Sequence, residues 1–122
     1  MPFLFEKLAV YQKSVQLSAT ISKLTDTFPK GNYYLTDQLN RAALSISLNI
    51  AEGNGRWHAN DKKQFFIVAR GSVHECVPIL EVCLSKQLIT SEVKQSLLME
   101  LEEISKMISG LIKGTVERNT GQ

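Results

Sequence analysis

Residues 36–56, TDQLNRAALSISLNIAEGNGR, decide how the rest of the chain is organised. With the preceding Leu35, the residues Leu39, Ala42, Ala43, Ile46 and Ile50 recur every three or four positions, the spacing of a core-facing helical stripe. Leu44, Leu48 and Ala51 lie roughly opposite. A helix of a monomeric bundle normally keeps that far side polar, so the second strip is covered either by other elements of the chain or by another subunit, and the second is the expectation. Between the strips run Gln38, Arg41, Ser45, Asn49 and Glu52, a polar row that is either a solvated edge or a set of hydrogen-bonding groups fixing register at an interface. Glu52 falls in the last turn, where a carboxylate opposes the helix dipole, so a cationic partner is expected in Arg56 or Arg70. Gly53 and Gly55 are expected to end the helix through left-handed backbone. GNGR lacks the strand-loop-helix setting and lysine of a phosphate-binding P-loop.

Outward from this segment the chain reads as helical throughout. It has 122 residues, 43% hydrophobic and 21% charged, enough for one domain with its own core. Three prolines and seven glycines interrupt it, and no stretch alternates as a strand does. Helix one is expected from Glu6 to Phe28, with Val10, Leu17, Ile21, Leu24 and Phe28 on one stripe and Leu8, Tyr11, Val15 and Ala19 on a neighbouring one. A loop at Pro29–Asn32 follows. Tyr33 and Tyr34 belong to that loop and are expected to pack over the end of the bundle, base stacking being the less favoured use. Helix two is capped near Thr36. Helix three is capped by Asp61, with Gln64 completing a capping box, and carries stripes at Phe65, Ala69, Ser72, Cys76, Ile79, Cys83 and at Phe66, Val73, Val77, Leu80, Leu84. Gly71 suggests a close helix–helix approach, and Pro78 a kink near His74. Helix four starts at Thr90 or Ser91, packs through Val93, Leu97, Leu101, Ile104, Ile108 and Leu111, and stops at Gly114. The expectation is therefore an all-α, antiparallel up-down-up-down four-helix bundle over residues 1–114, with a flexible C-terminal tail at 115–122.

Chemistry-bearing constellations are few. His74 and Glu75 have no nucleophile or second acid at matching spacing, so a structural histidine is expected and no catalytic residue is assigned. Cys76 and Cys83, two turns apart on one helix at roughly 10 Å, are too far apart for a mutual disulfide and read as core thiols. No metal-ligand spacing occurs, and neither metal nor cofactor is expected. With no long apolar run behind a basic start, neither a signal peptide nor a membrane span is expected, and a cytoplasmic location suits the reduced thiols.

A net charge of +2, from fourteen basic and twelve acidic side chains, does not by itself announce a nucleic-acid binder. Its distribution is more informative. Arg56, Trp57, His58, Lys62 and Lys63 make the densest basic and aromatic cluster in the chain, at the exit of helix two. Two readings stand: contact with phosphate or base, or a tryptophan folded onto the bundle beneath solvated charges. With Arg41 and Arg70 added, the candidate contact set is Arg41, Arg56, Trp57, Lys62, Lys63 and Arg70, and the candidate oligomer interface is Leu44, Leu48 and Ala51.

QLNRAALSISLNIAEGNGR closely resembles the signature segment of the four-helix-bundle proteins encoded in intervening sequences of bacterial 23S ribosomal RNA genes, historically labelled S23 ribosomal proteins. FEKLAVYQKSVQL, FPKGNYYLTDQL and FFIVARGSVHEC extend the match over most of the chain. Tyr11 stands where tryptophan is expected and Ser47 where proline is common. The resemblance implies a compact four-helix bundle, with relatives that form pentameric rings, bind nucleic acid and serve as accessory partners of retroelement reverse transcriptases. The expected function is then a noncatalytic, oligomeric scaffold binding RNA or DNA through basic surface residues. The alternative is a protein-interaction scaffold that docks a partner such as a reverse transcriptase.

Overall fold

The computed structural model describes residues 3–120, with side chains described through Thr115. A short 3-10 turn, Leu4–Lys7, precedes four α-helices: α1 Ala9–Thr25, α2 Tyr33–Asn54, α3 Ala59–Ser85 and α4 Ser91–Thr120. Each helix packs on the next and α4 closes back on α1, while the backbones of diagonal pairs stay farther apart among the described residues. The direction of packing shows in side-chain pairs. Ser45 of α2 meets Ser72 of α3, and further along α2 Gly53 meets Phe65 and Phe66, so position rises on one helix as it falls on the other. The all-α four-helix bundle expected from the sequence is the observed fold, with no strand among the described residues.

The stripe read from residues 35–50 is the centre of that fold. Leu35, Leu39, Ala42, Ala43, Ile46 and Ile50 are all buried, and they join Val10, Leu17 and Ile21 of α1, Phe66, Val73, Cys76 and Leu80 of α3, and Leu97, Leu101, Ile104 and Ile108 of α4 in one core. Glu100, Glu102, Glu103 and Lys106 are exposed on the outer side of α4, as its sequence pattern predicts.

Several boundaries differ from expectation, each for a local reason. The first helix is broken at Leu8, whose extended backbone (φ −71°, ψ 126°) separates the 3-10 turn from α1, and α1 ends at Thr25 rather than Phe28. α2 begins at Tyr33, so Thr36 lies inside it; Asn32 holds the cap position but spends its side-chain amide on Pro29 O at 2.8 Å. α3 begins at Ala59 after His58, which places Asp61 in the first turn instead of at the cap. Thr90 does cap α4, accepting a hydrogen bond from the Val93 N–H at 3.1 Å. Gly114 does not stop α4, which continues to Thr120; the rest of the expected tail, 121–122, lies outside the described residues.

The glycines are used differently from their sequence reading. Neither Gly53 nor Gly55 has positive φ, and Gly55 is right-handed (φ −79°). Gly53 is instead a packing position: a Cβ there would stand 2.7 Å from the Phe66 ring and 3.0 Å from Phe65 Cβ, so glycine is what lets α2 and α3 touch. Gly71, expected at a close approach, is exposed, and a Cβ on it would meet nothing within 4 Å. Left-handed backbone occurs at Gly31 (φ 96°) in the α1–α2 loop and at Gln87 (φ 63°) in the α3–α4 turn.

Candidate nucleic-acid interface

The turn between α2 and α3 is short and internally fixed. Gly55 N–H donates to Ala51 O and Arg56 N–H to Gly53 O, so the chain leaves α2 in one further turn. From the first turn of α3, Lys62 Nζ reaches back to donate to Asn54 O at 2.8 Å, satisfying a carbonyl that the end of α2 leaves without a helical partner. Arg56 is held on two sides. Its Nη2 pairs with Glu52 Oε2 at 3.3 Å, and its guanidinium carbon lies 4.6 Å from the centroid of the Phe65 ring. The partner expected for Glu52 is thus Arg56. Phe65, read from sequence as core, is half-buried and supports this arginine; nothing in its helical spacing distinguishes that use from a core position.

Trp57 stands at the apex. Its side chain is 90% exposed, so it does not fold back on the bundle. His58 is exposed beside it and Lys63 half-exposed on the first turn of α3. Arg56, Trp57, Lys62 and Lys63 are therefore brought together at one end of the molecule, alongside the acidic Glu52 and Asp61. Arg41 is not among them. It lies on α2 about 20 Å from that helix's end at 1.5 Å per residue, and pairs with Asp37 at 3.6 Å. Arg70 is also elsewhere, its Nη1 donating to Ser109 Oγ of α4 at 3.2 Å, which makes it a link between α3 and α4.

The second apolar strip of α2 faces out. Leu44 and Leu48 are 51% and 55% exposed and Ala51 is half-buried. Beside them the N-terminal turn adds aromatic surface that sequence periodicity did not assign: Phe3 and Phe5 stack at 5.4 Å and, with Leu48, Ala51, Glu52, Gly55 and Arg56, line a shallow cleft. Tyr11 meets Phe5 edge-on at 5.0 Å, the packing role expected for it. The polar row divides between the two uses foreseen for it. Ser45 Oγ accepts a hydrogen bond from Ser72 Oγ at 2.8 Å across the α2–α3 seam, and Asn49 Nδ2 donates to Ser45 within α2, whereas Gln38 and Arg41 are solvated.

Burial, with Glu75 beside it, pushes the Cys76 thiol up to about 12, and burial also raises Cys83, so both stay protonated and unreactive. His74 is exposed rather than enclosed as a structural histidine. No group of three metal-ligating side chains converges among the described residues, and no helix there is long and apolar enough to cross a membrane.

Fold and site together define a small four-helix bundle with an exposed basic and aromatic turn at one end and an uncovered apolar strip along one helix. The chain belongs to the 23S rRNA-intervening sequence protein family, whose profile matches residues 6–110. A crystal structure of a protein of unknown function from the S23 ribosomal protein family of Bacteroides thetaiotaomicron VPI-5482 shares the fold, with a TM-score of 0.79 and 24% identity over 86% of this chain and 99% of that one. A comparison with curated proteins gives no match.

Proposed function

We propose that this protein is a noncatalytic, homo-oligomeric scaffold that binds structured RNA or DNA, with the α2–α3 turn as the contact. The observation that carries the reading is Trp57: an indole 90% exposed, on a turn braced by Lys62 and Arg56, loses water-ordered apolar surface only when something stacks on it. Arg56, His58 and Lys63 stand around it as donors to phosphate. A single turn is weakly cationic, since Glu52 and Asp61 offset part of its charge. Several copies in an assembly multiply that field, and this is the reason to couple binding to oligomerisation. Leu44, Leu48 and Ala51 supply the subunit contact, and a pentameric cytoplasmic ring accords with the family resemblance.

The test is a titration of the purified protein with a structured RNA and with duplex DNA across a salt series, following emission of the sole tryptophan, with assembly mass measured by light scattering. The reading expects a saturable change in Trp57 emission and an affinity falling linearly with salt on logarithmic axes. No binding at low salt by an intact oligomer sinks it.

One observation favours a second reading, a scaffold docking a partner protein. The cleft of Phe3, Phe5, Leu48 and Ala51 is aromatic at its rim and continuous with the exposed leucines, the composition of a protein-binding groove. An intact oligomer indifferent to added nucleic acid would favour it.

A further inference from the structure

We propose that Tyr33 and Tyr34, with Lys86, form a second platform that stacks unpaired nucleobases of single-stranded RNA or DNA, at the end of the bundle opposite Trp57. This rests on the nucleic-acid reading above and extends it to a second contact. Contrary to the expectation from sequence, the two tyrosines do not cover the bundle end: they are 71% and 57% exposed on the first turn of α2. Successive residues on a helix point about 100° apart at 3.6 residues per turn, so the rings open separate faces to solvent instead of stacking on each other. Tyr34 is met by the neighbouring end of α3. Lys86, at the end of α3, donates from Nζ to Tyr34 Oη at 3.3 Å and lies 5.3 Å from the ring centroid. That contact sets a cation beside the ring.

The surroundings suit a flat, anionic, aromatic ligand. Tyr33 and Tyr34 border a shallow depression floored by Thr36, Asp37 and Asn40, too open to enclose a side chain. Asn40 is tied down by donating to Thr25 Oγ1 at 2.9 Å and to Thr36 O at 2.8 Å. Asp37, the one carboxylate at the floor, is paired with Arg41 at 3.6 Å, which offsets its repulsion of a phosphate. Lys30 is exposed on the neighbouring loop. Aromatic faces beside ammonium groups are the chemistry by which sequence-tolerant single-strand binders hold a chain. α2 spans 22 residues, so the two ends are roughly 33 Å apart, and one subunit would hold two separated stretches of strand.

The experiment measures affinity of the intact protein for single-stranded RNA and DNA oligomers and for a blunt duplex, comparing wild type with Y33A/Y34A, Y33F/Y34F and W57A. Photocrosslinking of 5-iodouracil-substituted oligomers then maps the stacked residues. The platform requires that Y33A/Y34A weaken single-strand binding by roughly five- to a hundred-fold, with Y33F/Y34F near wild type, duplex affinity unchanged, and crosslinks at residues 33 or 34. A loss on either oligomer supports it and identifies the strand it takes. Unchanged single-strand binding by Y33A/Y34A beside a loss in W57A overturns the platform and leaves the proposed function standing. Absence of binding by wild type overturns both. An equal loss on the duplex, or a change in assembly mass instead of affinity, assigns the tyrosines to another role and also overturns it.

Discussion

At Trp57 a large apolar side chain faces water, and four residues earlier at Gly53 a missing one lets two helices meet. Substitution should separate these uses. Trp57→Ala removes almost nothing from the packing, so thermal unfolding should change by no more than about 0.5 kcal/mol while nucleic-acid affinity falls. Gly53→Ala should destabilise by about 1–3 kcal/mol in denaturant titration, because the new Cβ overlaps the Phe66 ring and crowds Phe65 Cβ, and only the ring can move aside. Gly71→Ala should do the reverse, stabilising by about 0.5–1 kcal/mol, since it adds helix propensity where nothing is in the way. The sequence marks all three residues as unusual without saying which way each faces. Glycine at a contact and glycine on an open surface have the same signature until the neighbouring helix is placed.

α3 is the element that lies between α2 and α4, and its buried thiols give it a pH response. The folded protein holds Cys76 protonated up to about 12, against 9.0 for the free thiol. Below pH 9 both states carry the proton and stability is unaffected by this group. As pH rises from 9 towards 12 only the unfolded chain ionises, so stability falls progressively over that window. Urea midpoints measured from pH 8 to 11 should decline, and Cys76→Ala should flatten part of the decline; an identical slope in the variant would remove Cys76 as its cause. For the same reason, thiol-specific reagents at pH 8 should label neither cysteine until the protein is unfolded. The ends of α3 and its neighbours were less legible from sequence than their middles. Thr36 and Asp61 both satisfy a capping pattern on paper, but α2 begins at Tyr33 and the chain enters α3 at Ala59, choices made by the loops that span the bundle ends.

At the scale of the whole molecule, the outer strip of α2 stands exposed on the single chain. If subunits meet through Leu44, Leu48 and Ala51, Leu48→Glu should lower the mass seen by light scattering to that of one chain without unfolding it, because Leu48 contributes surface and not core. An unaltered oligomer would place the subunit contact elsewhere. Monomeric Leu48→Glu should also bind nucleic acid more weakly and with a shallower salt dependence, since a single turn carries little net charge.

The sequence by itself determined the four helices, their core-facing stripes and a second apolar strip at Leu44 and Leu48, because a period of three to four residues encodes which side of a helix is apolar; that this strip faces out was decided by the packing. It also singled out the segment around Trp57 by composition. Only the tertiary structure decided that Trp57 projects while Phe65 lies under Arg56, that Arg41 and Arg70 stand apart from that turn, and that Tyr33 and Tyr34 are uncovered. Those outcomes depend on how loops close and which helices become neighbours, and a one-dimensional period holds no record of contacts between residues distant in the chain.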